Sequence, residues 1–343
     1  MKLRVLFQTR PDYLNNIAGD TIQLLKTKEY IEKLGVEIEI SVKPANVKDF
    51  DIVHLFNTTR VKETYEFFIN AKKRQKPVVV STIYWDFSEF CQNPDSPASL
   101  YKNWLGSQAM RRSVFRGSAI LLPNSRLEAG MIRRQHGDTA PFHVVPNGVD
   151  PIFARGSPDA FYRQHGLKNY ILCVGRINTR KNQLALARAL KGSGLTLILA
   201  GPLNDREYLR KCRQEYPGLI VLNHLKHNEL PGLYSAAKVH VLPSWFETPG
   251  LASLEAGLSG CSIVTTDRGS AAEYFEDMAC YCDPGSIDSI RSAIIKAASM
   301  PEQTRYALKK RIAEKFLWAN VARETLSAYE KILSSPSNSA KKV

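Results

Sequence analysis

The chain has few cysteines, no long apolar run and no compositional bias, and each absence removes a class of protein. Six cysteines in 343 residues are too few for a disulfide scaffold. Cys91, Cys173, Cys212 and Cys261 stand alone. Cys280 and Cys282 form a C-Y-C unit, read as two strand positions on opposite faces and so unsuited to a disulfide or metal clip. All six are expected to be reduced thiols, mostly buried. No apolar stretch approaches the roughly 20 residues that cross a bilayer. Residues 1–7 are apolar only briefly before Arg10, so no signal-peptide core is expected, and the cytoplasm is the expected location. Charged residues are 23% and hydrophobic residues 44% of the chain. These values exclude disorder, collagen and coiled coil for its bulk. No DxD or His/Cys cluster stands out as a cation site, and no metal is expected. Asp49-Phe50-Asp51 has the letters of DxD but abuts a strand start.

What is abundant is positive charge. Lys and Arg number 47 against 33 Asp and Glu, a formal charge of +14. That excess is either a solvated basic surface or the mark of an anionic partner: nucleotide, nucleic acid or acidic membrane. The length suggests about two domains. Short β-branched or apolar runs recur between helical stretches: 3–7, 36–41, 51–55, 77–82, 119–123 and 143–145. They restart at 170–174, 195–200, 219–222, 239–242 and 262–265. Residues 21–34 have helical spacing. Strands alternating with helices predict an α/β fold with parallel sheets covered on both faces, and two series predict two such domains. Pro146-Asn147-Gly148-Val149-Asp150-Pro151 is turn chemistry and sets the boundary. Residues 334–343 are polar and Ser-rich, and are expected to form a flexible tail.

Two segments carry chemistry. Pro243-Ser244-Trp245-Phe246-Glu247-Thr248-Pro249-Gly250-Leu251-Ala252-Ser253-Leu254-Glu255 follows a strand and runs into a helix. Unpaired N–H groups at the helix start, near Gly250, Leu251 and Ala252, suit a phosphate. Glu247 precedes the helix. Glu255 lies more than a turn into it, where it either accepts bonds from a sugar diol or is simply a helix residue with a polar partner. Gly175-Arg176-Ile177-Asn178-Thr179-Arg180-Lys181 lies between a strand and a helix. Its cations either neutralise a diphosphate or form a solvated basic loop.

Gly-Arg with Lys five positions after the Arg, then Pro-Ser-x-x-Glu, then a second Glu eight positions on, resemble the retaining glycosyltransferases of family 4. Pro146–Asp150, Ala200-Gly201-Pro202, Leu230–Ser244, Asn124-Ser125 and Phe316-Leu317-Trp318 extend the resemblance. It covers nearly all of the second series and scattered points of the first. It implies a GT-B fold of two Rossmann-like domains facing an interdomain cleft. The first domain would span 1–150 and the nucleotide-sugar domain 151–317, with a last helix, 318–333, crossing back to the first. The implied activity is transfer of a sugar from a UDP- or GDP-sugar to a glycan or lipid-linked acceptor, in envelope or polysaccharide synthesis, with no permanently bound cofactor. Arg176 and Lys181 would hold the diphosphate and Glu255 the ribose. Glu247 would face the sugar, and the backbone at Gly250 and Leu251 would touch phosphate or sugar. Gly19, in Ala18-Gly19-Asp20, stands where the family has a glycine-rich loop; otherwise it simply opens a helix capped by Asp20. Tyr84 stands where relatives often have His. Tyrosine can donate to a sugar but is a poor base near neutrality, and Asp86 is the nearby carboxylate. His54 is read as a satisfied core residue.

Residues 101–116 interleave Trp104, Leu105, Met110, Val114 and Phe115 with Lys102, Arg111, Arg112 and Arg116. Such a pattern either lies on an anionic membrane, here the inner face of the plasma membrane, or covers the domain's own sheet. The competing functions are a nucleotide-sugar epimerase or sugar phosphorylase of the same fold and, from another class, a nucleic-acid-binding protein. The last lacks an aromatic platform, zinc pattern or recognition helix, and no nucleic-acid partner is expected.

Overall fold

The computed structural model describes residues 2–93, 96–223, 225 and 228–334. Residues 335–343 of the expected tail lie outside it. The chain divides into two compact units. One contains the chain up to Phe87, Pro97–Gly148 and the residues from Trp318 onward. The other contains Ser88–Ser96 and Val149–Leu317.

The first unit is built on five parallel strands: β1 (Arg4–Gln8), β2 (Glu37–Ser41), β3 (Ile52–Phe56), β4 (Val78–Ser81) and β5 (Ile120–Leu122). Their order is β2-β1-β3-β4-β5. β3 and β4 are buried at every position, as expected of strands with a helix layer on each side. Residues 143–145, expected as a strand, are not one. Their backbone makes only isolated bonds, His143 N–H to Leu121 O and Val145 N–H to Pro123 O. Pro141 and Pro146 flank the stretch and remove two of the donors a ladder needs.

The helix Trp318–Leu333 packs on the helix Gly19–Glu32. Tyr329 Oη lies 2.6 Å from His54 Nδ1, and Ser81 Oγ lies 2.9 Å from His54 Nε2. His54 is thus fully buried and satisfied, and burial pushes its imidazole down to about 3. The basic segment forms the helices Ala98–Gly106 and Gln108–Gly117. Trp104, Val114 and Phe115 enter the core of this unit. Arg111 is buried as well, bonded to the carbonyls of Thr58, Thr59 and Trp104. Tyr84 belongs to the same core with no exposure. Its hydroxyl donates to Gln135 and meets His136 Nε2 at 3.0 Å. A sugar-facing Tyr84 is therefore corrected to a packed core residue.

The second unit has six parallel strands: β6 (Tyr170–Val174), β7 (Leu197–Ala200), β8 (Ile220–Leu222), β9 (Ala237–Leu242), β10 (Ser262–Thr266) and β11 (Cys280–Cys282). Their order is β11-β10-β9-β6-β7-β8. β6 leads to β7 and β8 on one side, while β9, β10 and β11 are added on the other. The order therefore reverses between β6 and β9, and in open α/β sheets the carboxyl ends of the strands at such a reversal are where ligands bind. All six cysteines are free thiols and five are buried. Cys280 and Cys282 share one inward face and Tyr281 takes the other. This corrects the opposite-face reading, because side chains two apart on a strand point the same way. No described helix is long and apolar enough to cross a membrane.

Candidate active site

Two loops leave the carboxyl ends of β6 and β9. The first passes through Gly175 at φ 152°. It makes a short turn, Thr179–Lys181, whose start is capped by Asn178 Oδ1 accepting from Lys181 N–H at 3.1 Å. Asn182 comes next, in the left-handed region, and donates through Nδ2 to Pro243 O and Pro284 O. Trp245 N–H donates to Arg180 O at 3.0 Å. These bonds tie the β6 loop to the β9 loop.

The tie brings Lys181 and Glu247 together: Nζ is 2.5 Å from Oε1, and both side chains are nearly covered. Arg180 Nη1 lies 3.8 Å from the same oxygen, and its guanidinium lies over the Phe246 ring. Burial alone would raise the Glu247 carboxyl, yet Lys181 and Arg180 hold it below its ordinary value. Burial pulls the Lys181 ammonium down, opposed by Glu247. The buried pair is ionised, because each charge is the other's compensation.

The backbone of Glu247 is held from a third strand. Its N–H donates to Arg268 O and its carbonyl accepts from Ser270 N–H. Gly269 has φ 117°, and a Cβ there would stand 1.9 Å from Glu247 O, so only glycine permits this approach. Gly250, at φ 92°, caps the helix Leu251–Leu258. A Cβ on it would stand 3.3 Å from Glu247 Oε2. Thus the helix start, with its unpaired N–H groups, lies beside the ion pair. The hydroxyls of Ser253 and Ser270 are buried without a partner among the described residues.

Glu255 lies further along that helix and accepts from Tyr234 Oη at 2.7 Å. Burial raises its carboxyl to about 7, against the hydrogen bond. Arg176 is on the β6 loop, where its carbonyl accepts from Gln183 Nε2. Arg180, to which motif spacing assigns no role, is the guanidinium next to Glu247. Gly19 opens the helix Gly19–Glu32 of the first unit, and Ala18 is its cap. Asp20 does not cap that helix. Its carboxylate is buried and accepts from Arg10 Nε at 2.7 Å and Asn57 Nδ2 at 2.9 Å. Among the described residues no group of three or more His, Cys, Asp or Glu is placed to hold a metal ion.

Residues 160–315, somewhat less than half of the chain, carry the sequence pattern of the family described as glycosyl transferases group 1. An uncharacterized glycosyltransferase of Methanocaldococcus jannaschii is 31% identical over 207 residues, 54% of this chain and 53% of that protein. The chain spans about half the length of the curated relatives it matches. Among solved structures, sucrose-phosphate synthase from Thermosynechococcus elongatus superposes with a TM-score of 0.82 at 14% identity. The match covers 97% of this chain and 100% of that one. Anabaena HepE in complex with UDP-glucose superposes at 0.74 with 17% identity, covering 96% and 100%. The fold is the two-domain GT-B type.

Proposed function

We propose that the protein is a retaining glycosyltransferase of family 4. It moves a hexosyl or related sugar from a UDP- or GDP-sugar to a glycan or lipid-linked acceptor in envelope or polysaccharide synthesis. The observation that carries this reading is the buried Lys181–Glu247 pair beside the glycine-capped start of the helix Leu251–Leu258, at the reversal point between β6 and β9. The group 1 pattern over residues 160–315 supports it, as does the fold shared with a protein solved with UDP-glucose.

The diphosphate is assigned to Arg176, Lys181 and the amides around Gly250, Leu251 and Ala252. The ribose hydroxyls are assigned to Glu255 and the transferred sugar to Glu247. The acceptor side is assigned to the first unit near Gly19. When a donor arrives, its phosphate competes with Glu247 for the Lys181 ammonium, and the freed carboxylate accepts from sugar hydroxyls. The bond from the anomeric carbon to the phosphate oxygen breaks. The acceptor oxygen bonds to the same carbon on the same face, and its proton passes to the leaving phosphate oxygen. Lys181 and Arg176 stabilise the charge that grows there. This route needs no protein base, which suits a buried Tyr84 with Gln135 and His136 as partners. It also needs no metal: activity is expected to survive EDTA. The exposed Tyr101, Lys102, Leu105, Arg112 and Arg116 suit contact with an anionic membrane surface at the inner face of the plasma membrane.

A thermal-shift screen of nucleotide sugars identifies the donor. NMR of the first product from an α-linked donor should then show an α linkage, and a β product would refute retention.

A further inference from the structure

A cavity lies in the second unit, at the end of its sheet away from the Lys181–Glu247 pair. Its volume is about 410 Å³, and its wall includes Asn169, which precedes β6, Lys238 near the start of β9 and Ser262 at the start of β10. The loops that carry Lys181 and Glu247 leave the opposite ends of β6 and β9. The six residues of β9 at ~3.3 Å each separate the two places by roughly 20 Å.

Three cations line this cavity: Lys168 and Lys238, which are exposed, and Arg305, which is half-buried. Each lacks a carboxylate partner among the described residues. Lys168 Nζ sits 4.5 Å from the centroid of the Tyr162 ring. Arg305 Nε is buried with no hydrogen-bond partner among the described residues. A buried N–H left unpaired is costly, because it has given up water and gained nothing in return. Asp159 is the one carboxylate on the wall among the described residues, and it forms no ion pair with the three. Unneutralised positive charge in a concave, half-enclosed place attracts anions more strongly than the same charge spread over a surface. Its volume falls in the range of small-molecule sites.

We propose that this cavity is a second ligand site, separate from the transfer site, that binds a phosphate-bearing small molecule. Lys238 and the Arg305 guanidinium hold the phosphate, and Tyr162 with Met300 flanks the rest. Phosphate is the shared chemistry of the two sources, the free anion and a sugar phosphate.

The test is thermal unfolding of the full chain with inorganic phosphate, glucose 6-phosphate or chloride at matched ionic strength. The transfer-site loops also suit phosphate, so each probe is applied to wild type, Lys181→Ala, Lys238→Ala and Arg305→Gln. The expected result is a concentration-dependent rise in Tm with a phosphate probe in wild type and in Lys181→Ala, absent with chloride. Apparent affinity should fall at least ten-fold in Lys238→Ala and Arg305→Gln, whose unliganded far-UV spectra match wild type. Arg305→Lys controls for folding and should retain part of the shift. A tighter response to glucose 6-phosphate identifies the ester, and an equal response identifies free phosphate. A shift lost in Lys181→Ala but kept in Lys238→Ala would overturn the proposal, as would no shift with either phosphate probe.

Discussion

Removing the Lys181 side chain leaves the Glu247 carboxylate buried beside Arg180 alone, 3.8 Å away. From the sequence, Lys181 is only a cation aimed at a diphosphate, and Lys181→Ala is expected to cut turnover with little loss of stability. The ion pair changes that expectation. Breaking one partner of a buried pair costs about 3–5 kcal/mol, so urea unfolding should show a clear drop as well as lost turnover. Lys181→Ala combined with Glu247→Gln should recover part of the stability and none of the activity. An unchanged urea midpoint for Lys181→Ala would contradict this. Glu255 supplies a pH dependence. Its carboxyl is raised to about 7 by burial, so the folded protein holds a proton there that the unfolded chain has lost above its ordinary carboxylate range. Its contribution to stability is therefore present at low pH and disappears as pH rises through about 7. Donor binding runs the other way, because only the ionised carboxylate accepts from both hydroxyls of a diol. KM for the donor should rise as pH falls from 8 to 6, and Glu255→Gln should flatten both profiles. An unaltered pH profile in that variant would remove Glu255 from donor recognition.

The elements were legible in the sequence where burial on two faces leaves a run of apolar residues, as in β4 and β6. Residues 143–145 have the apolar letters, but the ladder depends on neighbours that letters do not reveal. Residues 101–116 show the same limit: the interleaved pattern is visible, but which basic residue turns inward is not. Arg111 does, because carbonyls of Thr58 and Thr59 wait for it. In the site, the motif letters exposed Lys181, Glu247 and Glu255. Arg180 was legible only as one of the loop's cations, because its place against Phe246 and Glu247 depends on the turn Thr179–Lys181. Gly269 stayed hidden, although it explains how the β10 loop grips Glu247. Gly269→Ala places a Cβ 1.9 Å from Glu247 O at a φ that L-residues avoid. Strain of this kind costs about 1–3 kcal/mol. The variant should unfold at lower urea and lose turnover, since the displaced backbone carries the Glu247 side chain with it. Urea titration and initial rates together check this; wild-type values in both would show that the loop relaxes freely.

On the scale of the whole chain, the alternation of short strands and helices conveys two parallel sheets, and the Pro146–Pro151 turn segment marks where one series ends. Periodicity alone does not convey that the chain comes back. The first unit takes in the residues from Trp318 onward. Gly148 is glycine partly for that reason: a Cβ there would stand 2.6 Å from Trp318 Cδ2. Tyr329, near the other end of the same helix, satisfies His54 in β3. The first unit is therefore discontinuous, with strands early in the chain and a closing helix that is made last. The second unit, apart from Ser88–Ser96, is one continuous stretch. A chain ending at Leu317 should keep the hydrophobic core of the second unit. It should lose the helix that covers Gly19–Glu32 and leave His54 Nδ1 without its partner in the sheet. Leaving that buried group unsatisfied costs about 1–3 kcal/mol, and the uncovered apolar surface adds to it. Hydrogen exchange of the truncated chain should show fast exchange in peptides covering residues 19–32 and 52–56. Peptides covering 170–174 and 239–242 should stay protected. Full protection of both sets would mean that the last helix only decorates the first unit, and loss of both would mean that the second unit does not fold alone.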